Sequence, residues 1–175
     1  MDKVFNLSTF GEIIEDPKKD DVTFDFFRKG KNLALEPDTD SPDHEFQNSH
    51  SAISHIALKN LHHTSQIKLF HWQTNSYAEH KALDNLFSGL TELTDGLVES
   101  GMGKFGRPKV GATQSNITLA NYQEGCLADF LDSLIYCYTE ECKNGLDPKK
   151  DSDLLNILDE MIALVNQTKY LITLK

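Results

Sequence analysis

The chain has 175 residues, enough for one ordinary domain with room for an appendage. Its composition, 39% apolar and 25% charged, is typical of a globular protein in water, and its apolar runs are all shorter than a membrane span. The formal net charge of −10 argues against general affinity for nucleic acid, because binding to phosphates requires a basic surface.

Three cysteines indicate the redox environment. Cys126, Cys137 and Cys142 are odd in number and form no CxxC motif. This pattern favours free, largely buried thiols in a reducing compartment over a disulfide framework. The first residues lack a basic flank followed by an apolar segment, so we expect no secretory signal. Together these features predict a cytoplasmic location.

Residues 1–49 differ from the rest of the chain. They contain twelve acidic against six basic residues, and they end in a polar stretch that includes Pro37 and Pro42. Such a composition disfavours a packed structure. We predict an acidic extension at 1–49, partly disordered or docked onto a protein partner, and a helical domain at 50–175.

The helical domain shows four segments with apolar residues at helical spacing. The first ends near His71, the second spans about 77–100, the third runs from Thr118 to Lys143, and the fourth opens with Asp151 or Ser152 as its cap. We find no alternation typical of a strand. The sequence therefore predicts an all-α fold, a four-helix bundle in which residues 101–117 form the crossover between helices two and three.

Four ligand-type residues lie on one side of the second predicted helix. His80 and Asp84 are four residues apart, and so are Asp95 and Glu99. At about 100° per residue they fall within an arc of roughly 100°, beside the leucine stripe. Carboxylates and imidazoles on one side of a bundle helix are typical of iron or manganese sites.

The two pairs lie too far apart along the helix to share one ion within one chain. Asp84 and Asp95 are separated by a rise of roughly 16 Å, whereas ligands lie about 2 Å from a metal. A shared site therefore needs a second subunit. In a two-fold dimer with antiparallel second helices, the first pair of one chain faces the second pair of the other.

With His71-Trp72 added, these residues resemble the ferroxidase signature of the Dps family, the ferritin-like proteins that protect DNA in starved cells. The resemblance implies a ferritin-like bundle that oxidises Fe(II), with peroxide or oxygen, and stores or detoxifies iron. It implies His71, His80 and Asp84 as ligands from one chain, Asp95 and Glu99 as ligands from its partner, and Trp72 beside the metal. It also implies a homo-oligomer, from a dimer up to a hollow dodecamer.

The stretch KLFHWQTNSYAEHKALD is also similar to Dps-like proteins of bacteriophages, which would place the chain in the host cytoplasm or in a virion. The link between His71 and His80 is shorter than is usual in the Dps family. The acidic extension stands where DNA-binding members carry basic tails, so we do not expect this chain to bind DNA.

Simpler interpretations stay open. His80 and Asp84 could form an ordinary surface pair, and Asp95 and Glu99 could lie on a solvated helix face. The corresponding functional alternative is a non-catalytic structural or interaction protein of a phage particle or another assembly. We predict that three further histidines are surface residues, because no carboxylate or cysteine accompanies them in the sequence. These are His55, His62 and His63.

Overall fold

The computed structural model describes residues 43–109 and 117–174. Within these ranges the secondary structure is helical and contains no strand, so the all-α prediction is confirmed. The helices are α1 (Asp43–Gln73), α2 (Tyr77–Phe105), α3 (Cys126–Tyr136) and α4 (Ser152–Leu171), with a π-helical turn (Cys137–Glu141) and a 3₁₀ turn (Lys143–Gly145) after α3. In the described part of the chain, none of these helices has the length and apolar character of a membrane span.

Helices α1 and α2 form a hairpin across a three-residue turn. Ser76 caps α2, because its hydroxyl accepts a hydrogen bond from the Glu79 N–H at 3.3 Å. The Glu79 carboxylate accepts a second bond, at 2.5 Å, from the hydroxyl of Thr74. The predicted start of the second helix at residue 77 is confirmed. The short turn fixes the register of the hairpin and so decides which side chains of α1 and α2 meet.

The core lies between α2 and its neighbours. Helix α2 packs against α1 and α4, and α3 packs against α4. Leu83, Leu86 and Leu90 of α2 are fully buried. Helix α1 meets α3 through the rings of Phe70 and Phe130, whose centroids lie 5.2 Å apart. The apolar residues that recur at helical spacing in the sequence thus face the interior of the helical assembly.

The third helix begins at Cys126, so the predicted start at Thr118 is wrong. The preceding residues are irregular, because side chains of α1 bond their backbone. The amide of Gln66 both donates to and accepts from the backbone of Ala120, at 2.8 Å each way. Gln73 accepts from the N–H of Tyr122 at 2.7 Å. These bonds replace those that a helix would have made.

The starts of α4 and α1 differ from the prediction in smaller ways. Helix α4 begins at Ser152 with Asp151 at the cap position, as expected, but the Asp151 carboxylate bonds the Asp147 N–H and Lys104 instead of the first turn of α4. Helix α1 begins at Asp43, before the expected residue 50. Residues 1–42 of the predicted extension and 110–116 of the predicted crossover lie outside the described residues.

Candidate metal centre

His71 and His80 face each other across the α1–α2 turn. Their rings are stacked, with centroids 3.9 Å apart and an interplanar angle of 25°. The Nδ1–H of His71 donates to the backbone carbonyl of His80 at 3.0 Å, and the Nδ1–H of His80 donates to the carbonyl of His71 at 3.0 Å. The two residues therefore orient each other.

This pairing determines which nitrogen of each ring carries the proton. A carbonyl oxygen can only accept, so each Nδ1 must carry its proton. In the neutral ring the lone pair is then on Nε2, the other nitrogen. Metal-binding histidines commonly hold one ring N–H on a carbonyl or carboxylate and bind the metal through the other nitrogen. His71 and His80 thus have the tautomer that ligation requires.

Asp84 lies one helical turn after His80, beside the imidazole pair. Its Oδ1 is 3.9 Å from Nε2 of His71 and accepts a hydrogen bond from Nζ of Lys68 at 3.2 Å. The Lys68 bond is the main reason why the pKa of the Asp84 carboxyl lies below its usual range. The carboxylate is therefore ionised and already holds a cationic group.

The surroundings of the pair are open on one side. His71 is 7% exposed and packed against the hairpin, whereas the Asp84 side chain is 42% exposed. Trp72 and Tyr77, next to the turn, are 70% and 78% exposed. Trp and Tyr are enriched in protein–protein interfaces, so these two exposed rings are candidates for contact with another chain.

Asp95 and Glu99 lie further along α2, on its exposed side. The structure stacks His71 on His80 and places Asp84 beside His71, and it brings neither Asp95 nor Glu99 to this pair. Among residues 43–109 and 117–174, no three His, Cys, Asp or Glu side chains are arranged so that they alone could hold a metal ion.

The prediction for the remaining histidines is wrong for His63, which is only 7% exposed. Its Nδ1–H donates to the hydroxyl of Tyr138 at 3.3 Å, and that hydroxyl donates to Oδ1 of Asn60 at 2.8 Å. Burial, followed by the positive charge of His62 and Lys59, lowers the pKa of His63 to about 3. His63 is a neutral core residue, because Tyr138 supplies the partner that makes its burial tolerable.

Two features of these clusters were missed in the sequence. Lys68 pairs with Asp84, and its Nζ also lies 4.7 Å from the ring centroid of Phe87. The register of a short hairpin could have indicated this pair, since Lys68 and Asp84 both lie about two helical turns from the three-residue turn that joins α1 and α2. The reciprocal bonding of the two histidines leaves no sequence signal, because it depends on the rotation of the rings.

The comparison with protein families assigns the chain to a group. The model of DUF5856, a family of unknown function, matches residues 71–172, which is more than half of the chain. The chain belongs to the DUF5856 family. The match includes Asp84, Asp95 and Glu99. No curated protein and no solved structure matches the chain.

Proposed function

We propose that this DUF5856 protein is a Dps-like iron-binding protein. It oxidises Fe(II) at a site shared between two subunits and stores or detoxifies the iron. The observation that carries the proposal is the His71–His80 pair, in which both Nδ1–H groups bond backbone carbonyls. This bonding leaves the lone pair of each neutral ring on Nε2, and Nε2 of His71 lies 3.9 Å from the carboxylate of Asp84.

The donor set fits iron as the substrate. Two imidazole nitrogens and the hard carboxylate oxygen of Asp84 make a mixed set that suits Fe(II) and retains Fe(III) after oxidation. The ammonium group of Lys68 lies 3.2 Å from Oδ1 of Asp84, so it must leave this oxygen before iron can bind there. We expect Lys68 to swing away when iron binds, which is feasible because its side chain is 29% exposed.

The second half of the site comes from another copy. Asp95 and Glu99 are exposed on the same helix, roughly 16 Å and 22 Å beyond Asp84, so they can reach the iron only from a partner chain. A two-fold contact along α2 would create two complete sites, each with Asp84 and the histidines from one chain and with Asp95 and Glu99 from the other. The same contact would cover Trp72 and Tyr77, which accounts for their exposure in a single chain.

The neighbours of each helix support a ferritin-like bundle. Helix α2 packs on α1 and α4, whereas α3 packs on α4 and meets α1 through Phe70 and Phe130. With α2 and α3 in diagonal positions, the chain after α2 has to cross the bundle before α3 begins. This is the expected role of the connection between Phe105 and Cys126.

Iron titration of the purified protein tests the proposal. Wild type should bind and oxidise Fe(II), and the changes His80→Gln, Asp84→Asn and Glu99→Gln should each slow oxidation at least tenfold. Matched controls are Asp129→Asn and Glu160→Gln, exposed carboxylates on α3 and α4 that should leave the rate unchanged. Binding should also weaken as the pH falls, because a protonated imidazole cannot ligate. Wild-type rates in the site variants would refute the proposal.

The exposed aromatic residues Trp72 and Tyr77 favour a second candidate, a non-catalytic scaffold that docks into a larger assembly. The two functions differ in their response to iron. A ligand that binds the native state raises its melting temperature, so Fe(II) should stabilise the intact oligomer of a ferroxidase. An unchanged melting temperature, with no oxidation, would favour the scaffold.

A further inference from the structure

The π-helical turn after α3 aligns two cysteines that an α-helix would separate. Cys142 donates its backbone N–H to the carbonyl of Cys137 at 2.8 Å, a bond that spans five residues. In an α-helix, residues five apart point about 140° away from each other. The wider π turn brings them to nearly the same side, and such turns are frequent at functional sites.

The two thiols are in contact inside the protein. Their Sγ atoms lie 3.7 Å apart, and the residues are 4% and 1% exposed for Cys137 and Cys142. A disulfide bond is about 2.05 Å long, so the sulfurs need to approach by roughly 1.7 Å. Small rotations of the two side chains can provide this, because the backbone already places both on one side of the turn.

A partly exposed ion pair involves the last residue of the π turn. Nζ of Lys59 is 2.9 Å from the carboxylate of Glu141, and both side chains are 28% exposed. Burial acts to lower the pKa of Lys59, but the hydrogen bond to Glu141 and the attraction of Cys137 outweigh it and raise the pKa. Lys59 acts to lower the pKa of Cys137 and Glu141 acts to raise it, so the two charges of the ion pair oppose each other at the thiol. Among residues 43–109 and 117–174 no group of three ligand-type side chains surrounds the two sulfurs, so we favour thiol oxidation over metal binding.

We propose that Cys137 and Cys142 form a dithiol modification site that hydroperoxides oxidise to an intramolecular disulfide. One sulfur attacks the peroxide O–O bond, which breaks to give a sulfenic acid and to release water or an alcohol. The second sulfur then attacks the sulfenic sulfur and displaces its hydroxyl as water, while the S–S bond forms. The two thiols together lose two protons and two electrons to the peroxide, and a thiol reductant reverses the change.

The environment of the sulfurs affects the rate of oxidation. The hydrogen bond to Cys142, followed by burial, raises the pKa of the Cys137 thiol. The 3.7 Å contact places the second sulfur beside whichever sulfur the peroxide oxidises first. Because both thiols are buried, oxidation should be slow at neutral pH and should accelerate as the pH rises.

The full chain with Cys126→Ala isolates the pair, since only Cys137 and Cys142 then remain. After treatment with hydrogen peroxide, the thiol count in denaturant should fall from two to zero per chain. The intact mass should decrease by two hydrogens, and dithiothreitol should restore both thiols. Sulfinic or sulfonic products, or disulfides between chains, would overturn the proposal.

A second variant separates pair chemistry from ordinary thiol reactivity. With Cys126→Ala and Cys142→Ala combined, the remaining Cys137 thiol should be lost at least tenfold more slowly than the pair. Equal rates of thiol loss in the two variants would contradict a reaction that requires both cysteines. Incubation with Cd²⁺ before peroxide tests the metal alternative: protection of the pair, with thiolate–cadmium absorption in the ultraviolet, would identify a metal site and overturn the disulfide assignment.

Discussion

Two polar clusters lie on α1, about 12 Å apart along the helix, and they differ in how complete they are. Around His63, the hydroxyl of Tyr138 and the amide of Asn60 satisfy one another inside the core. Around His71 and His80, each ring holds its Nδ1–H on a backbone carbonyl, and Nε2 of His71 lies 3.9 Å from the half-exposed carboxylate of Asp84. The closed cluster serves stability, whereas the open cluster is the one to which we assign iron.

The largest expected effect is the loss of stability at acid pH that the closed cluster causes through His63. The folded His63 has its pKa lowered to about 3, whereas an unfolded histidine binds a proton below about pH 6.5. Between these values the unfolded state binds more protons, so stability falls as the pH is lowered, by up to about 1.4 kcal/mol per pH unit. The variant His63→Gln should lose much of this slope in denaturation curves at several pH values. His62→Gln should retain it, and equal slopes in both variants would contradict a buried neutral His63.

Removal of one hydroxyl should test the closed cluster next. Tyr138→Phe leaves both the Nδ1–H of His63 and the amide oxygen of Asn60 without a partner, so unfolding should become easier by about 2–4 kcal/mol. Tyr136→Phe is the matched control, because Tyr136 is 54% exposed and its change should cost less than about 0.5 kcal/mol. Urea denaturation with an unchanged m value measures both. Equal costs would show that the buried bonds contribute little.

The two sides of α2 should respond differently to an added methyl group. A Cβ at Gly96 would meet nothing within 4 Å, so Gly96→Ala should stabilise the helix by about 0.5–1 kcal/mol. A Cβ at Gly89 would lie 2.6 Å from Cδ2 of Leu164, so Gly89→Ala should stabilise less or destabilise. Chemical denaturation measures the difference. Equal effects would contradict the close approach of α2 to α4.

The smallest effect on stability should come from changes to Asp95 and Glu99, the exposed carboxylates further along α2. Asp95→Asn and Glu99→Gln change exposed side chains and should shift the unfolding free energy by less than about 0.5 kcal/mol. The same changes should abolish most Fe(II) oxidation. A variant that lost both stability and oxidation would point to a structural role for the carboxylate, which circular dichroism during thermal unfolding would reveal.

The sequence predicted those features that depend on local pattern. The leucine spacing gave α2, and the Ser-x-x-Glu pattern at Ser76 marks its start. The start of α3 was wrong, because the bond between Gln66 and Ala120 joins residues 54 positions apart. The burial of His63 was wrong for the same reason: its partner Tyr138 is 75 positions away.

The candidate site divides in the same way. Spacing alone placed His80 and Asp84 on one side of α2 and showed that Asp95 is too far away to join them in one chain. The stacking of His80 on His71, and the position of Lys68, required the three-dimensional register of the hairpin. Completion of the site by Asp95 and Glu99 depends on an interface between two chains, which residue spacing along one helix does not encode.

Mixed oligomers test the shared site most directly. One subunit carries His80→Gln with Asp84→Asn, the other carries Asp95→Asn with Glu99→Gln, and different affinity tags allow the mixed particle to be isolated. Each variant alone should oxidise almost no Fe(II), whereas a mixed dimer should regain about half of the wild-type sites, since one of its two seams is intact. Mixed particles as inactive as their parents would contradict a site built from two chains.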